Sequence, residues 1–562
     1  MQVAPSYTAT VLYAWGDPIS AGPAFQPDAS NSAADQAVQS GDHHDGIQYF
    51  PLPYGSDNSR HGLLALNHEY MDPNILHPDG QEPRTAEKVL KEQAAHGVSI
   101  IEVRKHSGQW EVVCPSRYAR RITGYTPMAI SGPVAGSELV KTEADPEGIE
   151  VLGTLNNCAH GFTLWGTYLT CEENWAGYFV HRSGNQPREH YRYGVRTCSS
   201  RYDWELFDAR FDAGKHPNEP NRFGWVVEID PYDPDAKPVK RTTLGRFAHE
   251  GAWPSIAPDH RLAFYMGDDA RFEYIYKFVT RHPYNPPSRE ANRDLLDEGT
   301  LYVARFNADG SGEWIALEYG SNGLTEENGF ANPAEVLVNT RLAADWVGAT
   351  KMDRPEWGAV QPFTKEVYMA LTNNSNRTEE EVDAANPRPN NQFGHIIRWR
   401  EANNDPTATA FEWDIFILCG DPSNPEPNLQ GNINGDLFAA PDGLLFDSRG
   451  LLWIKTDISS NSLNNELHAP FGNNQMLAAD PHTGEVRRFL TGPVRCEITG
   501  ATMTPDGMTL FVNIQHPGEG MTGTADNPEP TAGSTWPDGD PNGRPRSATV
   551  VVENDNGAMI GK

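Results

Sequence analysis

Along this chain short apolar runs come in pairs, and polar clusters separate the pairs. The stretch NNCAHGFTLWGTYLTCEEN, residues 156–174, shows the unit. FTLW and TYLT have strand length and are joined by a tight turn at Trp165-Gly166. A thiol and an imidazole, Cys158 and His160, precede the first run. Two carboxylates, Glu172 and Glu173, follow the second. The pattern is a β-hairpin with polar side chains at its open ends.

The unit recurs in HHDGIQYFPLP with HGLLALNHEY, in AHEGAWPSIAPDHRLAFYMGDDA, in RPEWGAV with EVYMALTNN, in APDGLLFDSRGLLWIKTD and in RCEITGATMTPDGMTLFVNIQH. A second hairpin follows most copies: VSIIEVRKHSGQWEVV, WVVEIDPYDPDAKPVKRTTL, TLYVARFNADGSGEWIALE, HIIRWREANNDPTATAFEWDIFIL and MLAADPHTGEVRRFL. Two hairpins make four strands, one propeller blade. After the last inner hairpin only SATVVVEN remains, and SYTATVLYAW near the start is the available partner. The expected fold is all-β: a single-domain six-bladed β-propeller over 1–562, its ring closed by the N- and C-terminal strands so that no blade edge is left open.

Antiparallel order puts the head of each first strand and the tail of each second strand on one rim. The long insertions, roughly 71–97, 115–155, 175–223, 270–298, 319–352 and 517–546, fall in links on that same rim. Two of them read as partly helical. AEKVLKEQAA has Thr85 as its cap, and NPAEVLVNTRLAADWVG has Asn332 as its cap with Pro333 in the first turn.

Composition fits this picture and narrows the partners. The 51 Gly and 44 Pro suit a protein of many turns. Against 45 Lys+Arg stand 76 Asp+Glu, a net charge of -31, which argues against nucleic acid as a partner. No apolar run is long enough to span a bilayer. The start, MQVAPSYTATVLYAWG, lacks the basic-then-apolar run of an export signal. None of the six cysteines forms a CxxC pair, and Cys158 and Cys171 could face each other as a disulfide.

In a propeller the innermost strands surround the central channel, so the heads and tails should converge at one mouth. The heads supply His43, His44 and Asp45; Asn157, Cys158 and His160; His249 and Glu250; Arg354 and Glu356; Asp442; and Arg495, Cys496 and Glu497. The tails add His68 and Glu69; Glu172, Glu173 and Asn174; Asp268 and Asp269; Asn373 and Asn374; Asp457; and Gln515 and His516. So many carboxylates in one mouth would force several to stay protonated unless multivalent cations compensate them. Oxygen ligands suit Ca²⁺, and a thiolate among carboxylates suits a transition metal such as iron. Blander assignments stand beside these: a turn residue for Asp442, an ion pair between blades for Arg354, core or turn histidines, and packing between blades for Trp15, Trp165, Trp357 and Trp453.

At these residues the sequence resembles the PhoX-type alkaline phosphatases. The matching segments include YTATVLYAWGDPI, HHDGIQYFPL, GLLALNHEY, NNCAHGFTLWGTYLTCEENWAGYF, AHEGA, RPEWG, PDGLLFDSRGLLWIKTD and CEITGATMTPDGMTLFVNIQHPGE. The resemblance implies a monomeric phosphomonoesterase, periplasmic or secreted, exported by the twin-arginine route with its signal removed from this chain. It implies a cofactor of two Fe³⁺ ions and two to three Ca²⁺ ions around a bridging oxo group. Cys158 matches the family's iron ligand; Glu69, Glu173, Glu250, Glu356, Asp457 and Glu497 match its acidic ligands, with Asp442 beside them. Asn157 and Arg354 match phosphate-contacting groups. The expected reaction is attack of a metal-bound oxo or hydroxide on a small phosphate monoester, releasing inorganic phosphate. A calcium-only propeller hydrolase acting on lactones or esters, and a non-catalytic calcium-stabilised binding propeller, are the alternatives.

Overall fold

The structure, a computed structural model, describes residues 1–562. Six four-stranded blades surround a central channel. Their innermost strands are His44–Pro51, Asn157–Phe162, His249–Ile256, Pro355–Val360, Pro441–Phe446 and Glu497–Met503. Each packs against the next, and the last packs against the first, so the ring is closed. The second strand of each blade is the return arm of the repeated hairpin: His61–His68, Tyr168–Glu172, Leu262–Asp268, Val367–Leu371, Leu452–Thr456 and Thr509–Gln515.

The ring closes as the repeat count requires. Tyr7–Ala14 lies antiparallel to Ala548–Asn554, which pairs in turn with Thr509–Gln515. The first and last segments of the chain therefore complete the sixth blade together. Inner strands approach closely where their side chains are absent. A Cβ on Gly500 would sit 2.3 Å from the carbonyl oxygen of Asp45, and one on Gly161 would sit 1.9 Å from that of Ala252. The four tryptophans expected between blades are all buried to within 2 % of full burial. Trp453 meets Phe489 edge-on, with ring centroids 5.0 Å apart.

Three sequence expectations change. Residues 270–298, expected to be a rim insertion, contain the third strand of the third blade, Ile275–Thr280. The hairpin TLYVARFNADGSGEWIALE supplies the fourth strand, Gly299–Phe306, and an additional strand, Ser311–Ala316, that bonds to Ala410–Leu418 of the fourth blade. Lys277 hides the missed strand: it sits in an otherwise apolar run yet is fully buried, donating to the Ala408 carbonyl at 2.6 Å and lying 3.2 Å from Glu401. The helix capped by Thr85 forms over Ala86–Ala95 as expected, with Thr85 accepting from the Lys88 amide. The helix capped by Asn332 breaks in two at Asn339, where the Asn339 and Thr340 side chains donate to the Glu335 and Leu337 carbonyls. All six cysteines are free. Cys158 faces the channel mouth, whereas Cys171 packs in the core between blades, so the hairpin carries no disulfide.

Candidate metal centre

One local device repeats around the ring. In every inner hairpin the strand register slips at the same place: between His44 and Ile47, Asn157 and His160, Glu250 and Trp253, Pro355 and Gly358, Pro441 and Leu444, and Ile498 and Ala501. Such a bulge turns a side chain out of the strand's alternation. At or just before each slip stands Asp45, Cys158, Glu250, Glu356, Asp442 or Glu497. Two residues earlier, five of the six blades hold a non-glycine residue at positive φ: His43, Asn156, Arg354, Ala440 and Arg495. Left-handed backbone at such residues costs on the order of 1 kcal/mol each and gathers at functional sites.

A second ring of side chains comes from the returning strands. The backbone N–H groups of Glu69, Glu173, Asp269 and Asp457 donate to the carbonyls of His43, Asn156, Ala248 and Ala440 at 3.1, 2.9, 3.0 and 3.0 Å. The fourth blade has Thr372 in this place, donating to Arg354 at 3.2 Å. Four blades thus add an acid beside the bulge residue, and these four acids and every bulge residue but Asp45 line one cavity of about 200 Å³.

Two compact triads stand out among these groups. Ligand atoms of Asp45, Glu69 and Cys158 lie within 4.8 Å of one another, and so do those of Glu173, Glu250 and Asp269. Amides fix some of the carboxylates. Gln515 Nε2 donates to Asp45 Oδ2 at 2.7 Å and Glu69 Oε2 at 3.0 Å, and Asn156 Nδ2 donates to Glu69 Oε1 at 2.7 Å and Glu173 Oε2 at 3.1 Å. Yet Asp45 Oδ1, Glu173 Oε1 and Glu250 Oε2 are buried with no hydrogen-bond partner. Burial first, then neighbouring carboxylates, push Asp45, Glu173, Glu250, Glu356, Asp442 and Glu497 well above the usual carboxylate range. The same two causes push the Cys158 thiol up. Lone pairs left without donors, among acids that resist joint ionisation, fit bound cations. One triad mixes sulfur and oxygen; the other is oxygen only.

The protein's own cations are few here. Arg354 Nε and Nη2 bind Asp269 at 2.8 and 2.7 Å, Nη2 also reaches Glu356 at 3.1 Å, and Nη1 makes no bond within the protein. Arg201 lies over the Tyr70 ring at 4.4 Å and touches Asn156 Oδ1 at 3.3 Å. Below the mouth Lys455 Nζ is buried without a partner, 4.6 Å from the Trp357 ring, and burial pushes it down to about 7.

The structure gathers Cys158, Glu69, Glu173, Glu250, Glu356, Asp442, Asp457, Glu497 and Arg354 at this mouth. It places Asn157 elsewhere: its amide nitrogen donates to Thr154 and Thr170 at 2.7 and 3.0 Å, and Asn156 is the residue that reaches the carboxylates. The bulge shifts the alternation by one and exchanges the two asparagines. Glu172 turns away to Lys240, 2.7 Å distant, and Asp268 turns to Arg341. Asp45 and Asp269 join the centre although only their place among the heads and tails marked them. Arg201, from the insertion 175–223, carried no repeat signal. Three of the histidines play structural parts: His44 bonds Ser40 and Thr549, His249 bonds the Gly245 carbonyl, and His160 stacks on Tyr168, whereas His516 lines the mouth 3.5 Å from Glu497.

A closed propeller with an acid-and-thiol mouth defines a channel-centred metal-dependent enzyme. The chain matches the family model described as alkaline phosphatase PhoX over residues 1–518, and it belongs to that family. It is similar to Pseudomonas fluorescens PhoX in complex with vanadate, a transition state analogue, at 48 % identity and a TM-score of 0.94, over 100 % of this chain and 97 % of that one. A Dyadobacter fermentans protein of unknown function aligns with 98 % of this chain and 100 % of its own length at 8 % identity, with a TM-score of 0.38 that carries no argument. No curated protein matches the chain. The enzyme is a phosphoric monoester hydrolase.

Proposed function

We propose that the enzyme hydrolyses phosphate monoesters at a mixed centre, with iron held at Cys158, Asp45 and Glu69 and calcium at Glu173, Glu250 and Asp269. Glu356, Asp442, Asp457 and Glu497 complete the coordination around the rest of the mouth. The observation that carries this reading is the Cys158 sulfur within 4.8 Å of two carboxylates, beside a triad made of oxygen alone. Soft and hard donors sort iron from calcium in this way. When bound, the cations supply the positive charge that a phosphoryl dianion and its transition state require.

The chain's own groups perform the rest. Asn156 and Gln515 orient the carboxylates through their amides. Asp269 and Glu356 hold the Arg354 guanidinium so that its free Nη1 points its proton to a phosphoryl oxygen. Arg201, clamped on Tyr70, adds a second donor at the same mouth. Below the mouth Lys455, Trp357 and His160 are buried, and so low-dielectric a surrounding strengthens these contacts. Substitution Arg354→Lys keeps the charge but loses the fork; it is expected to lower kcat/KM about a hundredfold with the circular dichroism spectrum unchanged.

The direct test is elemental analysis of the purified protein alongside turnover of a chromogenic phosphate monoester. Iron and calcium should both be present, and turnover should follow their content. Full activity in protein free of iron would overturn the iron assignment and favour a calcium-only hydrolase.

A further inference from the structure

A phosphomonoesterase must also place the alcohol half of its substrate. The mouth, about 200 Å³, is lined by the groups that face the phosphoryl end. A larger cleft of about 550 Å³ opens directly beside it and shares Glu173, Asn174, Arg201 and Asp269 with it. Its far wall carries Tyr193, Arg196 and Arg341. The charges on that wall are unequal. Arg341 is cancelled by Asp268, at 2.5 Å, and Glu273, at 3.5 Å. Arg196 is exposed, and its side chain makes no hydrogen bond, ion pair or aromatic contact, while the nearby Arg182, Arg188 and Arg192 are each tied to a carboxylate. In a chain carrying 76 Asp+Glu against 45 Lys+Arg, an unpaired guanidinium facing a cavity is a group without a partner in the protein. Arg201 at the junction has only its 3.3 Å contact with Asn156 and its two tyrosine rings.

We propose that this cleft is the leaving-group subsite, and that Arg196, with Arg201 behind it, selects monoesters whose alcohol carries an anion of its own, a carboxylate or a second phosphoryl group. The inference rests on the phosphatase activity and goes beyond it to substrate class. The phosphoryl end binds at the mouth, the ester oxygen points into the cleft, and the distal anion meets the Arg196 guanidinium. Such a charge-assisted bond at a half-open site changes binding about tenfold and weakens with salt.

The experiment compares 3-phosphoglycerate with glycerol 3-phosphate, two monoesters of similar size that differ in the charge on the leaving alcohol. The metal-loaded wild-type protein should favour the first. Arg196→Ala should reduce the ratio of the two kcat/KM values about tenfold, Arg196→Lys should retain part of it, and Arg196→Glu should invert it. Calorimetry with 3-phosphonopropionate and propylphosphonate gives a readout independent of turnover: the wild-type preference for the former should vanish in Arg196→Ala. Unchanged ratios and unchanged phosphonate preference in the Ala and Glu variants would overturn the subsite while leaving the phosphatase intact. A wild-type protein that turned over neither ester would overturn the hydrolase reading itself.

Discussion

Replacing Cys158 by alanine is expected to reduce kcat/KM for a chromogenic phosphate monoester about a thousandfold or more, and to remove iron from the purified protein. The sulfur stands at the bulge of the second blade, with Asp45 and Glu69 converging on the same point. Without it the triad becomes two carboxylates, and the donor that distinguishes iron from a harder ion is lost. Losing several kcal/mol of charge stabilisation at the phosphoryl group corresponds to about three powers of ten in rate. Serine keeps the volume but not the softness, so Cys158→Ser should fail in the same way. The fold should survive in both, because Cys158 belongs to the rim and not to the packed core between blades; circular dichroism and gel filtration check this. A variant without iron that kept the wild-type rate would remove the thiol from the chemistry.

Stripping the metals is expected to lower the melting temperature by about 10 °C or more at alkaline pH and to reverse the usual response to acid. Ions held a thousandfold above their dissociation constants contribute about 4 kcal/mol each to the folded state. The sign follows from the carboxyls. Burial and mutual repulsion raise those of Asp45, Glu173, Glu250, Glu356, Asp442 and Glu497 in the folded protein, and Asp42 behind them is pushed by burial up to about 7. A group with a raised folded pKa contributes stability that is fully present below its unfolded pKa and is lost as pH rises through the folded one. The chelated protein should therefore melt higher as pH falls from about 9 to about 6, and calcium with iron should abolish that slope. Scanning calorimetry across pH, with and without chelator, decides it; a stripped protein whose stability falls with acid over that window would contradict the account.

The blades were legible because paired apolar runs of strand length, with a tight turn between them and polar ends, mark a buried hairpin, and the ring repeats that mark. Ile275–Thr280 escaped because Lys277 breaks the apolar run, and only Glu401 and the Ala408 carbonyl, far along the chain, make its burial tolerable. The centre was half legible. The acids of the heads and tails stood in equivalent places, but a bulge cannot be read from residue type, so Asn157 stood in for Asn156. Asp45 and Asp269 complete the triads through geometry alone, since each lies next to an equally polar residue, His44 and Asp268, that turns the other way. Arg201 and Arg196 lie in an insertion with no repeat to compare, and only the tertiary structure brings Arg201 to the mouth and Arg196 to the cleft beside it.

The pairing of Tyr7–Ala14 with Ala548–Asn554 reaches beyond architecture. It is the clasp of the bracelet. Asp45 stands on one side of that junction and Glu497 on the other, joined across it by Thr499 Oγ1 donating to the His44 carbonyl at 2.9 Å. A nascent chain cannot fasten the clasp until Ala548–Asn554 has emerged, so the ion cage is assembled only after the strands of all the other blades have been made. Anything that later prises the two ends apart would pull Asp45 and Glu497 from one another, and would silence the enzyme from a point that no substrate touches.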